Sequence, residues 1–333
     1  MIEKQLWHPV AQSQDVVNAP LAVQLLDQAV VLWRNSLGQV QAFVDRCPHR
    51  GSRLSMGRVE NDHLECPYHG WQFGTAGQCV KIPAMPDYTP SATQRVACFD
   101  VQEAYGMVWV RLQEPDAGTA EQSALLALPA FVAEADERLR KVNCGYYDVQ
   151  ASAPRIIENF LDMSHFGFVH EGWLGSRDTT AMAPYEVQRT AAGVLATGCK
   201  AVQPQSNLHS TQPAEVEYSY EVTAPYMAVL TKIPEAGTSK EGWRESIALL
   251  ICPLTAESSR VWFRMAVADF ESSDEDLRAF QHTIFTQDQP VLESQLPKAL
   301  PLDPRAELHS AADRMSNTYR RYLKESGITF GAC

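Results

Sequence analysis

The sequence predicts an α+β protein built as two domains, 1–117 and 118–333. Three observations predict it. At 333 residues the chain exceeds one ordinary core, and about 150 residues per domain gives two. The β-rich runs come in blocks instead of alternating with helices, so nothing implies the βαβ units of a parallel sheet. Sustained helical spacing of apolar residues is confined to the second half.

The elements follow in order. In LAVQLLDQAVVLWRNSLGQVQAFVDR, which starts at Leu21, β-rich runs surround a turn at Asn35 to Gly38, and YGMVWVRL is another such run. After Gln113 the composition shifts to Ala, Glu, Pro and Gly, which sets the boundary near Asp116 to Gly118 and makes the stretch up to Arg140 a linker and covering segment. ASAPRIIENFLDMSHFGFVHEGW reads as mostly helical. YEVQRTAAGVLATGCKAV, AEVEYSYEVTAPYMAVLTKI, RESIALLICPL and SSRVWFRMAVADF then read as antiparallel strands with one buried face. Helical spacing returns with a stripe of Leu277, Phe280, Ile284, Val291 and Leu292, started by Ser273 with Asp276. HSAADRMSNTYRRYLKESG is a terminal helix stopped at Gly327. No repeat of 20 to 50 residues marks a solenoid.

Composition narrows the function. With 45% hydrophobic and 20% charged residues the chain is neither disordered nor membrane-embedded. No apolar run approaches the ~20 residues of a bilayer span, and the start MIEKQLWHPV has no basic region followed by an apolar one. These features predict a cytoplasmic protein. The 28 basic against 40 acidic residues give −12, which disfavours nucleic acid or an anionic membrane as partner. Eight dispersed cysteines do not make a disulfide framework.

CPHRG and CPYHG, beginning at Cys47 and Cys66, each pair a cysteine with a histidine and end on a glycine. Cys47, His49, Cys66 and His69 can enclose one metal or a small cluster, and thiolate with imidazole suits both zinc and a two-iron, two-sulfur centre. One soft and one harder ligand per loop favours iron and sulfur, because one iron can take both thiolates and the other both imidazoles. Pro48 and Pro67 stiffen the loops, and Gly51 and Gly70 let the backbone turn closely. The two loops resemble the CxH and CxxH loops of Rieske proteins.

A second set of polar residues lies in IIENFLDMSHFGFVH. Asn159, Asp162 and His165, three apart, share one helical face, whereas His170 is rotated ~140° from His165 and needs a bulge or unwinding that Gly167 permits. Asp288 falls on the apolar stripe of its own helix and requires a partner. His165, His170 and Asp288 together form a facial triad for a mononuclear iron(II), with positions left open for O2 and substrate. Asp162 then accepts a hydrogen bond from a histidine. Phe160, Met163, Phe166 and Phe168 are expected to keep the site dry, and the apolar surround suits an aromatic or ring-bearing substrate.

Both constellations together, with DxxHxxxxH from Asp162 and QDQPVLESQ around Asp288, resemble the oxygenase component of Rieske non-haem iron oxygenases. Length and the ending YRRYLKESGITFGAC look most like the α-only members, among them toluenesulfonate methyl-monooxygenase, vanillate O-demethylase and the saxitoxin-type hydroxylases. The resemblance implies a Rieske [2Fe-2S] domain of antiparallel sheets followed by a helix-grip catalytic domain. It also implies a homotrimer in which His69 of one subunit meets Asp162 of the next, which holds His165, with Asn159 as a polar residue near the iron. Electrons would come from a separate flavin or iron-sulfur reductase, with or without a ferredoxin, since no GxGxxG fingerprint occurs here. The expected activity is a monooxygenase that hydroxylates or demethylates its substrate. Ring cis-dihydroxylation, an electron carrier with a ligand-binding domain and a zinc-stabilised ligand carrier are the competing readings. His8, His63, His209, His282 and His309 are assigned structural or surface roles, with His209 able to face the pocket. Cys79, Cys98, Cys144, Cys199 and Cys252 are expected to be buried.

Overall fold

The computed structural model describes residues 1–115, 120–205, 208–209, 212–234 and 242–333. The chain divides into two compact units, one of Lys4–Ala117 and one of Met1–Glu3 with Gly118–Cys333. The boundary read near Asp116 to Gly118 lies outside the described residues.

Among the described residues, ten strands make the first unit: β1 (His8–Gln12), β2 (Leu21–Leu25), β3 (Gln28–Arg34), β4 (Val40–Val44), β5 (Arg58–Glu60), β6 (His63–Glu65), β7 (Gln72–Phe73), β8 (Cys79–Lys81), β9 (Cys98–Ala104) and β10 (Met107–Arg111). They form an antiparallel sheet of order β1-β10-β9-β4-β3-β2 and a smaller one of order β5-β6-β7-β8. The predicted turn closes β3 on β4. There the Asn35 side chain accepts from Gln39 N at 2.8 Å, and Gly38 holds a φ of +78° that other residues rarely adopt. Trp33, Phe43, Leu54, Leu64 and Phe73 pack with Cys47 and Cys66 into one core cluster.

The second unit begins with α1 (Ala120–Leu126) and adds β11 (Arg140–Val149), α2 (Ala153–Leu161), α3 (Phe166–Val169), β12 (Glu186–Arg189), β13 (Val194–Gln203), β14 (Ala214–Ala224), β15 (Met227–Ile233), β16 (Ser246–Pro253), β17 (Ser259–Val267), α4 (Asp274–Ser294) and α5 (Arg314–Glu325). Its antiparallel sheet runs β11-β17-β16-β15-β14-β13-β12. Helix α4 packs on β11, α2 on β16, and α5 on β12 and β13. The strand β11 went unread because a register shift between Asn143 and Tyr146, with Gly145 at φ +75°, interrupts its alternation. Strands β16 and β17, expected to bury one face, are buried along nearly their whole length at the sheet's interior.

Helix α4 starts with the predicted capping box, Ser273 with Asp276, and continues through Pro290 for 21 residues. Its buried face is Leu277, Gln281, Phe285, Asp288 and Leu292. Val291, placed on the stripe by sequence, is exposed. Helix α5 stops before Gly327 at φ +71°. Buried charges tie α2 to α5. Arg320 donates to Glu158 at 2.6 and 2.8 Å and also binds Glu307, while Arg155 holds Glu307 at 2.6 and 3.2 Å.

Candidate metal centres

In the first unit the two quoted loops have one backbone plan. Gly51 N donates to Cys47 O at 2.9 Å and Gly70 N to Cys66 O at 3.1 Å. Each cysteine N–H donates to the residue five further on, Ser52 or Trp71, at 2.8 Å. Gly51 and Gly70 sit at φ +73° and +67°, the left-handed region in which a side chain is strained.

This plan turns the thiols inward and the imidazoles outward. Cys47 and Cys66 are each 2% exposed within the apolar cluster, whereas His49 and His69 lie at the surface. The two rings are 4.6 Å apart, and His49 also stacks on Trp71 at 4.6 Å. Burial pushes the Cys47 thiol up to about 11, against the lowering effect of the His49 and Arg50 N–H groups, and Cys66 beside it adds to the rise. Partial burial and the charges of His69 and Arg50 hold His49 below its ordinary range. Two adjacent buried sulfurs with backbone N–H groups aimed at one of them, and two adjacent surface imidazoles, fit a two-metal cluster with sulfur ligands on one iron and nitrogen ligands on the other.

The second constellation is built from three segments of the second unit. Helix α2 is capped by Ser152 and ends at Asp162, so Asn159, Asp162 and His165 do not share one helical face as expected. The chain leaves the helix at Asp162, whose Oδ1 accepts from Ser164 N at 2.8 Å and Ser164 Oγ at 2.6 Å, a local turn that competes with helix. Its Oδ2 then faces His165 Nδ1 at 3.1 Å. His165 and His170 flank the single turn α3, with ring centroids 5.0 Å apart. Gly167 does not unwind this turn. It is there because a Cβ would lie 2.8 Å from Ser176 O, where Gly175 and Ser176 pack against it.

Asp288 reaches both histidines from α4. Its Oδ1 is 3.4 Å from His165 Nε2, 3.2 Å from His170 Nε2 and 3.2 Å from Asn159 Nδ2, which donates to it. One ligand atom from each of His165, His170 and Asp288 lies within 4.8 Å of the others. His170 Nδ1 meets Gln287 Oε1 at 2.8 Å. Burial lowers the His170 pKa, but the hydrogen bond and charge of Asp288 and the bond to Gln287 outweigh it and hold the ring above its ordinary value. For Asp162 burial acts upward, and the bonds from His165 and Ser164 prevail to keep it low. Two imidazole nitrogens and one carboxylate, all on one side of a cavity, fit a mononuclear iron with open positions.

The cavity encloses about 840 Å³ with its mouth and is mostly apolar. Phe160 and Phe166 line it as expected, together with Phe263, Phe280 and Phe285. Phe168 does not: it is exposed under the Arg177 guanidinium, 5.2 Å from its ring, and Met163 is buried away from the lining. His209 is exposed and bound to Asp269 and Ser272, and Cys98, expected inside, is exposed. Sequence reasoning missed Gln203, Tyr218, Gln281 and Gln287. Tyr218 donates to Gln203 Oε1 at 2.8 Å, which leaves the Gln203 amide nitrogen as a donor. Gln281 is buried in the lining. The available signal was spacing, since Gln281 precedes Asp288 by two turns on the same helix face.

Known proteins match both units. The family described as Rieske [2Fe-2S] domain matches residues 6–100, and that of the vanillate O-demethylase oxygenase C-terminal domain matches 149–327. Methylxanthine N1-demethylase NdmA of Pseudomonas putida is 32% identical over 97% of this chain and 88% of its own. Methylxanthine N3-demethylase NdmB of the same organism is 30% identical over 98% and 90%. The solved structure of NdmA with caffeine superposes with a TM-score of 0.81 at 30% identity, covering 97% of this chain and 90% of that one.

Proposed function

The chain belongs to the Rieske non-haem iron oxygenases, and from that premise we propose that it removes an N- or O-methyl group from a ring-bearing small molecule seated in the cavity. It is an O2-dependent oxidoreductase whose family carries a Rieske [2Fe-2S] cluster and a mononuclear iron. The bound groups supply electron delivery and dioxygen activation. Cys47, His49, Cys66 and His69 hold the cluster, and His165, His170 and Asp288 hold the single iron. Asp162 orients His165 and links it to the electron source, while Asn159 steadies Asp288.

The observation that carries the reading is the approach of His165, His170 and Asp288 at the wall of an apolar cavity that also presents Gln203 and Gln281. The phenyl rings exclude water from the reacting methyl group, and the amides suit ring carbonyl oxygens or ring nitrogens. In the net reaction one oxygen atom enters a methyl C–H bond. The other leaves as water with two electrons and two protons, and the hydroxymethyl product breaks its C–N or C–O bond to give formaldehyde. A separate reductase provides the electrons. A homotrimer, with His69 of one copy near Asp162 of the next, and a cytoplasmic location belong to the same reading. None of the described helices is long and apolar enough to cross a membrane.

Two measurements test it. Metal and sulfide analysis of anaerobically purified protein should give about three irons and two sulfides per chain. With NADH and a surrogate reductase, methylxanthines and methoxybenzoates should be screened for formaldehyde released per O2 consumed, and methylarenes for the benzylic alcohol. Zinc without sulfide, or a cis-diol as the product, would overturn the proposal.

A further inference from the structure

We propose that Gln287 is a positioning residue for the second metal centre, acting on His170 as Asp162 acts on His165. The inference rests on reading His165, His170 and Asp288 as the metal-holding set. It concerns a residue outside that set.

Three consecutive residues of α4 do different work. Asp288 Oδ1 lies between the Nε2 atoms of both histidines. Gln289 Nε2 donates to Asp148 O at 3.1 Å and to Glu293 at 2.9 Å, which fastens the helix to β11. Gln287 Oε1, in contrast, contacts a ring nitrogen, His170 Nδ1, at 2.8 Å. An amide oxygen only accepts, so this bond places the proton on Nδ1 and leaves the Nε2 lone pair of neutral His170 free for a metal. His170 is 1% exposed, so no water competes for Nδ1. The partners of the two histidines differ in charge. His165 Nδ1 faces a carboxylate, and His170 Nδ1 faces a neutral amide. A carboxylate partner makes an imidazole a stronger donor than an amide does, so the two nitrogens bind with unequal strength.

The test uses the full chain with its cluster in place and the single iron removed by chelation, titrated with Fe(II), then treated with nitric oxide and examined by electron paramagnetic resonance. Replacing Gln287→Leu deletes the acceptor and should weaken Fe(II) binding about 10- to 100-fold, with the cluster absorbance unchanged. Replacing Gln287→Glu keeps an acceptor and charges it. It should bind iron at least as tightly as the parent and shift the resonance of the nitrosyl adduct. The inference is overturned if Leu binds iron like the parent, if Glu loses as much affinity as Leu, or if the Glu nitrosyl spectrum matches the parent's. If the parent itself binds no iron in this site, the ligand assignment fails instead, and that outcome is recognised before any variant is compared.

Discussion

Arg320→Met tests how helix α2, which leads into the candidate site, is held. Arg320 is 5% exposed and makes both short contacts to Glu158, at 2.6 and 2.8 Å, besides donating to Pro301 O at 2.9 Å. Methionine fills similar space without a charge. Glu307 then keeps Arg155 at 2.6 Å, but Glu158 is left with Arg155 at 3.8 Å. One carboxylate, its side chain 14% exposed, thus remains underpartnered, which costs up to about 3–5 kcal/mol by analogy with other broken buried pairs. For a unit of this size that corresponds to roughly 6–20 °C in midpoint. Calorimetry of the full chain should show the transition of the second unit falling by that amount. Glu158→Leu in the Arg320→Met background removes the stranded charge and should recover more than half of the loss. A single-variant loss below about 1 kcal/mol would refute the reasoning, because it would class the network with exposed pairs.

Three further outcomes are expected. Asp162→Asn should retain both metals while substrate-coupled oxygen uptake collapses, and near-normal turnover would show that Asp162 carries no part of the electron route. Gln281→Leu should raise KM by about 5- to 150-fold with little change in kcat, since a buried amide contact worth ~1–3 kcal/mol is lost; an unchanged KM means that substrate does not touch Gln281. The third concerns pH. The pKa of His170 is raised in the metal-free protein, so the stabilisation from its protonated form is full below the ordinary value of about 6.5 and is lost as pH rises through the folded value. Iron must displace that proton. Fe(II) affinity should therefore climb with pH up to the raised folded value, above about 6.5, and then level off, and a flat profile would exclude His170 as a ligand.

Much of this was legible in the sequence because it was written in spacing. Short loops such as CPHRG and CPYHG fix their own geometry through a proline and a left-handed glycine, so residue order suffices to bring the two pairs together. Asp288 was legible because an ionisable residue on an apolar stripe needs a partner. What failed was local competition. Asp162 ends its helix by hydrogen-bonding Ser164, an alternative that a 100° wheel does not contain. The strand β11 hid behind its bulge. Gln203 and Gln287 were invisible because a neutral amide has no required partner type, and only the fold says which of many glutamines faces a cavity or a ring.

The buried face of α4 carries Asp288 with a glutamine on either side. Losing one residue upstream in that helix would swing the face by about 100° and bring Gln289 to the place of Asp288, and gaining one would bring Gln287 there. Either frame change substitutes an amide for the acid of the proposed metal-holding set and also displaces the apolar residues of the buried face. Insertions and deletions between Ser273 and Asp288 are therefore disfavoured, and that span should keep a constant count of residues.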